Sequence, residues 1–259
     1  MSLGAGVQSS ALCWLFEDGL LENPPDIAIF ADTQNEPREV YAYLQTLKRE
    51  IKLFPILQTT RGNLAENPAK VPLFVKRPDG KRGMGYRQCT SEYKIKQVER
   101  AVREFLGYAK GKWMRHEVEM ILGISADEEG RRRVSRNRRE TLRYPLLDEL
   151  YWTRKECLLY FESCGRPLPP RSACTFCPYR SNKEWAEMKQ NNPLDFEAAC
   201  RFDESVRDKG GLNFAREGRD APGEQFVHYS LTPLRNADLS AKHSKRYGME
   251  NECEGMCGI

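Results

Sequence analysis

The sequence predicts an α/β protein: a doubly wound, mainly parallel sheet with a helical, cysteine-bearing C-terminal part. Three observations predict it. The first half alternates short apolar runs with amphipathic helical segments, the pattern of a parallel sheet covered on both faces. A glycine- and serine-containing loop, "SLGAGVQSS" (Ser2 to Ser10), stands directly before a helical segment. From Tyr144 onward the chain carries most of its cysteines and has no strong strand pattern.

The elements follow in order. "SALCWLFEDG" (Ser10 to Gly19) spaces its apolar residues helically and stops on glycine. "DIAIFADT" (Asp26 to Thr33) is a β-rich run behind Pro24 and Pro25. Residues 38–51 form a helix with Pro37 near its start, and "FPILQTT" (Phe54 to Thr60) is the next strand. Residues 91–107 form a long helix ending at Gly107, and "VEMILGIS" (Val118 to Ser125) is another buried strand. Ligands of such sheets bind at the carboxyl ends of the strands. A soft boundary near residue 145 separates an α/β part, 1–145, from a helical and loop part, 146–259. A phosphate loop in this architecture normally follows a strand, but only Met1 precedes Ser2. The expectation is therefore a strand upstream of this start, or a sheet without it.

At 259 residues, the chain suits one large domain or one with an appendage. Its 40% apolar and 30% charged residues are ordinary for a globular protein. No apolar run approaches the roughly 20 residues that span a bilayer, and no secretory signal opens the chain. A cytoplasmic protein without a membrane partner is expected. Nine cysteines then point to metal or catalysis rather than disulfides. The net charge of +4 does not decide a partner, and the oligomeric state is not legible.

The chemistry-bearing stretches are specific. Backbone N–H groups at a glycine loop and helix start bind phosphate without a charged side chain. Gly4 and Gly6 let the backbone approach, and Ser9 or Ser10 can donate; the Gly-Lys-Ser/Thr ending of a Walker loop is absent. Cys174-x-x-Cys177 and Cys253-x-x-x-Cys257 are knuckles that suit a four-cysteine zinc site. Cys13, Cys157, Cys164 and Cys200 sit in apolar helical contexts and read as core. Asp127 and Glu128 are hard oxygen ligands for Mg²⁺. Arg131, Arg132, Arg133, Arg136, Arg138, Arg139 and Arg143 can clamp pyrophosphate or meet a nucleic-acid backbone; a solvated lid is the alternative. Residues 76–87, "KRPDGKRGMGYR", form a second basic loop whose glycines suit movement over a site. His228 reads as structural.

Four of these stretches, with a fifth after Tyr144, together resemble one superfamily. Ser2 to Ser10 resembles the PP-loop of the ATP pyrophosphatases and phosphoadenosine phosphosulfate (PAPS) reductases, Ser-Gly-Gly-x-Asp-Ser. Ala5-Gly6 stands for the glycine pair and Gln8 for the Asp, a change that the reductase branch tolerates. "FADTQNEPREVY" resembles the strand-end Asp-Thr motif through Asp32 and Thr33. "RQCTSEYKIKQV" resembles the reductases' Cys-Cys-x-x-Arg-Lys-Val segment, matched at Cys89 and Lys94, with Thr90 for the second cysteine and Tyr93 for the arginine. Gly123 to Glu128, with the arginines behind it, resembles the strand-end Gly-x-x-x-x-Glu…Arg loop. Residues 144–169 resemble the Pro-Leu…Trp-Thr segment. The resemblance covers most of residues 2–180. It extends to stand-alone members of phages and bacterial DNA-modification (phosphorothioation) systems, including the tail "NECEGMCGI".

The resemblance implies an adenine nucleotide alpha-hydrolase-like fold. ATP would bind with Mg²⁺ at Ser2, Gly4, Ala5, Gly6, Gln8, Ser9, Asp32, Thr33 and Gly123. Catalysis would fall to Cys89, Lys94, Asp127 and Arg131. It favours a [4Fe-4S] cluster on Cys89, Cys174, Cys177 and a tail cysteine, Cys253 or Cys257, with zinc as the alternative. The expected activity is ATP pyrophosphatase chemistry that adenylates DNA or tRNA for sulfur incorporation, with a cysteine desulfurase as sulfur donor. Two rivals remain. One is a PAPS or adenosine phosphosulfate reductase, whose C-terminal Glu-Cys-Gly-x-His is here broken into Glu252-Cys253 and Cys257-Gly258 without a following histidine. The other is a non-enzymatic, nucleotide-bound DNA-binding subunit.

Overall fold

The computed structural model describes residues 1–135, 137–207 and 223–240. Its first strand, β1 (Ser2–Leu3), is only two residues long. It nevertheless pairs in parallel with β2 (Ala28–Asp32), setting Ser2 opposite Ile29 and Leu3 opposite Phe30. The Ile29 amide also donates to the Met1 carbonyl at 2.9 Å. The expectation of a strand upstream of Met1, or of a sheet without one, is thus corrected: the strand is Ser2–Leu3, the loop's own first residues. Residues there are buried on all sides, which is why a polar-looking Ser2 belongs to the sheet.

β2 pairs in parallel with β3 (Ile56–Thr60), giving the order β1-β2-β3. A second parallel pair joins β6 (Val118–Ile121) to β7 (Glu140–Arg143). The period-2 alternation of β2 divides two cores. Ala28 and Phe30 join Leu3, the helix α1 (Val7–Glu17), α2 (Arg38–Glu50) and α4 (Arg154–Ser163). Ile27, Ile29 and Ala31 join α3 (Lys96–Phe105) and Met120, Leu122 and Ile124. The molecule is thus mixed α/β, with parallel sheets and several helices.

Residues on the two sides of position 145 share cores. Leu146, Cys157 and Phe161 pack with α1 and α2. Leu64, Val71, Leu73 and Tyr93 pack with Phe176, Trp185, Phe196 and Val227, around α5 (Asn182–Asn191) and α6 (Pro193–Val206). Phe176 stacks on Phe202 with ring centroids 3.7 Å apart.

Four further expectations need correction. The basic segment 76–87 forms part of an antiparallel sheet, in which β4 (Phe74–Lys76) lies between β5 (Arg82–Met84) and β8 (Glu224–Phe226). Gly80, at φ +76°, closes the hairpin because a left-handed backbone costs glycine nothing. β8 also puts a strand in the second half, where three residues are too few to show a period. The predicted helix over 91–107 begins as a π turn, Thr90–Ile95, before continuing as α3; such turns recur at functional sites. Cys164, read as core, is exposed at the end of α4, whereas Cys13, Cys157 and Cys200 are buried. No helix of the described residues is long and apolar enough to cross a membrane.

Candidate functional site

The Ser2–Ser10 loop turns between β1 and α1. Ala5 holds φ +56° while fully buried, so the left-handed residue of this loop is alanine rather than glycine. Gly6 is the N-cap of α1 and the Ser10 amide donates to its carbonyl at 3.0 Å. Ser9 Oγ accepts from the Gly4 amide at 3.2 Å. The loop's form is thus held by its own serine, with the positive end of α1 behind it.

The 125–131 turn closes on this loop from the carboxyl end of β6, just past the buried Gly123. Gln8 Nε2 donates to Ser125 Oγ and to Glu128 Oε2, each at 3.4 Å. Gln8 Oε1 is buried without a hydrogen-bond partner among the described residues. Glu128, itself buried, is ion-paired to Arg131. Asp127 is exposed; its Oδ1 accepts from Ser125 Oγ at 2.6 Å and from the Arg154 amide at 3.1 Å. Both carboxylates are therefore engaged with protein donors.

The arginine run does not act as one patch. Arg131 faces Glu128, Arg132 pairs with Asp148, and Arg143 forks onto Glu149. Arg138 and Arg139 lie before β7, at the other end of the strands. Arg136 lies outside the described residues.

A second cluster sits beside the loop, at the end of β2. Asp32 accepts from Tyr41 Oη at 2.7 Å, from Gln58 Nε2 at 2.9 Å and from the Gln34 amide at 2.7 Å. Burial and this bond push the Tyr41 phenol well above its ordinary value. Thr33 Oγ1 lies 3.3 Å from Cys174 Sγ and donates to Glu36 Oε1 at 3.4 Å. Lys94 Nζ is 3.4 Å from Glu36 Oε1, the two side chains being 7% and 1% exposed. Glu36 Oε2 is buried with no hydrogen-bond partner among the described residues. Lys94 is therefore placed with the cysteines through Glu36.

Cys89, Cys174 and Cys177 line one cavity together with Thr33, Lys94 and Arg87. The cavity is small, about 30 Å³, roughly one water's share of liquid volume. Cys89 heads the π turn, and Cys174 and Cys177 flank a tight turn closed by a 3.0 Å bond from the Cys177 amide to the Cys174 carbonyl. Burial, reinforced by the Glu36 carboxylate, pushes the Cys174 thiol well above its ordinary value; Lys94 opposes this. An ionised Cys174 thus needs added positive charge, such as a metal supplies. Among the described residues, no three His, Cys, Asp or Glu side chains converge on one ion position. Three thiols are donors that zinc and iron–sulfur clusters both accept, and Cys89, Cys174 and Cys177 share this cavity. Cys253 and Cys257 lie outside the described residues.

One segment ties the two clusters together. Ser172 Oγ donates to the Gly4 carbonyl, and two residues later Cys174 meets Thr33. The Thr175 amide donates to the Asn35 carbonyl at 2.8 Å. Arg180, buried, holds the Ala173 carbonyl at 2.7 Å, and burial lowers its pKa. Sequence reasoning missed Glu36, Ser125, Ser172 and Arg180. Only Glu36 carried a signal, an acid three residues past Thr33 in a strand-end loop. His228 is structural: buried, with Nδ1 2.7 Å from Ser230 Oγ and Nε2 2.9 Å from Asn182 Oδ1.

No protein-family model matches the chain, and neither does any curated protein or solved structure.

Proposed function

We propose that the chain is a PP-loop ATP pyrophosphatase of the doubly wound, adenine nucleotide alpha-hydrolase type. It adenylates a nucleic acid, DNA or tRNA, so that sulfur from a cysteine desulfurase can be incorporated. The observation that carries this reading is the span from Ser172 to Cys174. One short segment bonds the Gly4 carbonyl and meets Thr33, so thiols stand beside a phosphate-binding type of loop.

In this reading the backbone from Gly4 to Ser9 and the start of α1 hold the phosphates. Ser2, Ala5 and Gln8 shape that loop, and Asp32, Thr33 and Gly123 border the nucleotide. The acceptor oxygen attacks the α-phosphorus, the α–β P–O bond breaks, and pyrophosphate leaves. A sulfur nucleophile then displaces AMP. Arg131 supplies charge to the departing phosphates on leaving Glu128, and Asp127 fixes the turn that carries it. Asp127, exposed on the turn, would be the hard oxygen donor to Mg²⁺, which would neutralise phosphate charge when bound. Catalysis is positioning and electrostatic stabilisation. Cys89, Cys174 and Cys177, with Cys253 or Cys257, would hold a [4Fe-4S] cluster, which supplies sulfur-handling chemistry when bound. Lys94 and Glu36 hold Cys174 at the cavity wall.

The test is turnover of ATP to AMP and pyrophosphate by anaerobically purified protein, together with calorimetry of ATP. Gly6→Val puts a branched side chain at the helix start, and ATP affinity should fall by about tenfold or more, about 1.4 kcal/mol. Unchanged affinity removes the loop from the site. Sulfite release from PAPS with thioredoxin would replace this reading with the reductase.

A further inference from the structure

A second concave surface lies at the opposite ends of the strands. Residues 112–117 lead into β6 and residues 137–139 lead into β7, so the two segments meet at the amino ends of these strands. With Arg103 of α3 they line a cleft of about 640 Å³. Its lining carries Arg103, Lys112, Arg138 and Arg139 against the acid Glu117. Arg103 Nη2 donates to the Lys112 carbonyl, and Arg139 Nη1 to the Arg115 carbonyl at 2.8 Å. Carbonyls fix these guanidinium groups without cancelling their charge. Trp113 also lines the cleft and is 77% exposed. An indole exposed among four cations suits a partner that offers both negative charge and a flat apolar face.

We infer that this cleft is a docking site for single-stranded nucleic acid. The cations follow the phosphodiester backbone, and Trp113 stacks a base. Every base has a π-face, so a basic groove with an exposed aromatic suits a strand of any sequence. A duplex keeps its bases stacked inside, away from Trp113. The volume is in the range that takes a nucleotide-sized group, about 300–1,000 Å³, and it is larger than one phosphate fills. β6, four residues long and roughly 13 Å, separates this cleft from the 125–131 turn. The inference goes beyond the nucleotide-site reading and stands whether or not the Ser2–Ser10 loop binds ATP.

The experiment is fluorescence anisotropy of the full chain with a labelled oligothymidylate at low salt, with inorganic polyphosphate as a probe that has charge but no bases. Trp113→Ala and Arg138→Glu both change exposed side chains, and thermal melting checks that each folds. Trp113→Ala should weaken oligothymidylate binding about tenfold and leave polyphosphate binding unchanged. Arg138→Glu should weaken both probes and flatten the salt dependence by about 0.7 in log–log slope for each phosphate it no longer neutralises. Calorimetry with ATP should be unchanged for both variants, which separates this cleft from the loop. Oligothymidylate binding by Trp113→Ala equal to wild type overturns the inference, as does no binding by wild type. Equal, Trp113-dependent binding of polyglutamate also overturns it, in favour of an acidic polypeptide partner.

Discussion

Lys94 and Glu36 are the residues whose chemistry is most constrained. Their 3.4 Å contact is buried on both sides, at the shoulder of Cys174. Taking two charges out of water costs several kcal/mol per ion, and removing one partner strands the other. Lys94→Met should therefore destabilise the fold by about 3 kcal/mol or more. Glu36→Gln should cost a similar amount, because the buried Lys94 ammonium loses its Glu36 counter-charge. The double variant should be more stable than the sum of the two losses predicts. A urea-denaturation cycle on the three variants measures this coupling, and strict additivity would mean that the pair does not act as one unit. Lys94 was legible as a motif residue. Its partner was not, because 58 residues separate them, from position 36 to position 94.

At the scale of elements, β8 is the piece that joins the last described segment to the basic hairpin. Its approach is close at Gly223, where a Cβ would meet the Lys76 carbonyl oxygen at 2.7 Å and Val75 Cγ1 at 2.8 Å. Both obstacles belong to β4, and one is backbone, so neither can swing away. Gly223→Ala should cost about 1–3 kcal/mol as overpacking. Gly130→Ala is the control, since nothing lies within 4 Å of its Cβ position. Thermal melting of the two variants should give a lower midpoint for the first and little change for the second. Equal midpoints would show that β8 yields easily. This antiparallel sheet was hidden from the sequence. Its strands are three residues each, too short to display alternation, and its pairing crosses more than half the chain. β2, α2 and α3 were legible because each carries a full apolar period.

At the scale of the whole molecule, the cysteine cavity is attached to a core. Cys89 and Cys174 pack against the cluster that joins residues 64–93 to 176–234. If the three thiols hold a metal group, its removal should loosen that core first. Limited proteolysis of anaerobic protein, before and after chelation, should show early cuts in 173–207 while β1, β2 and α1 stay protected. Cys174→Ser should reproduce the chelated pattern. An unchanged pattern after chelation would mean that the core holds itself together.

The sequence by itself determined the alternation of strands and helices, the loop before α1, and the paired cysteines at 174 and 177. These are local properties: period, turn chemistry and spacing act over a few residues, so the order of residues suffices. Only the tertiary structure decided which of them meet. It placed Ser172 on Gly4, Cys174 beside Thr33, and Cys89 in the same cavity. It also split one arginine run between two ends of the sheet and left Trp113 exposed among cations. Such contacts depend on how distant elements cross when apolar faces are buried together, and no local pattern in the chain encodes that crossing.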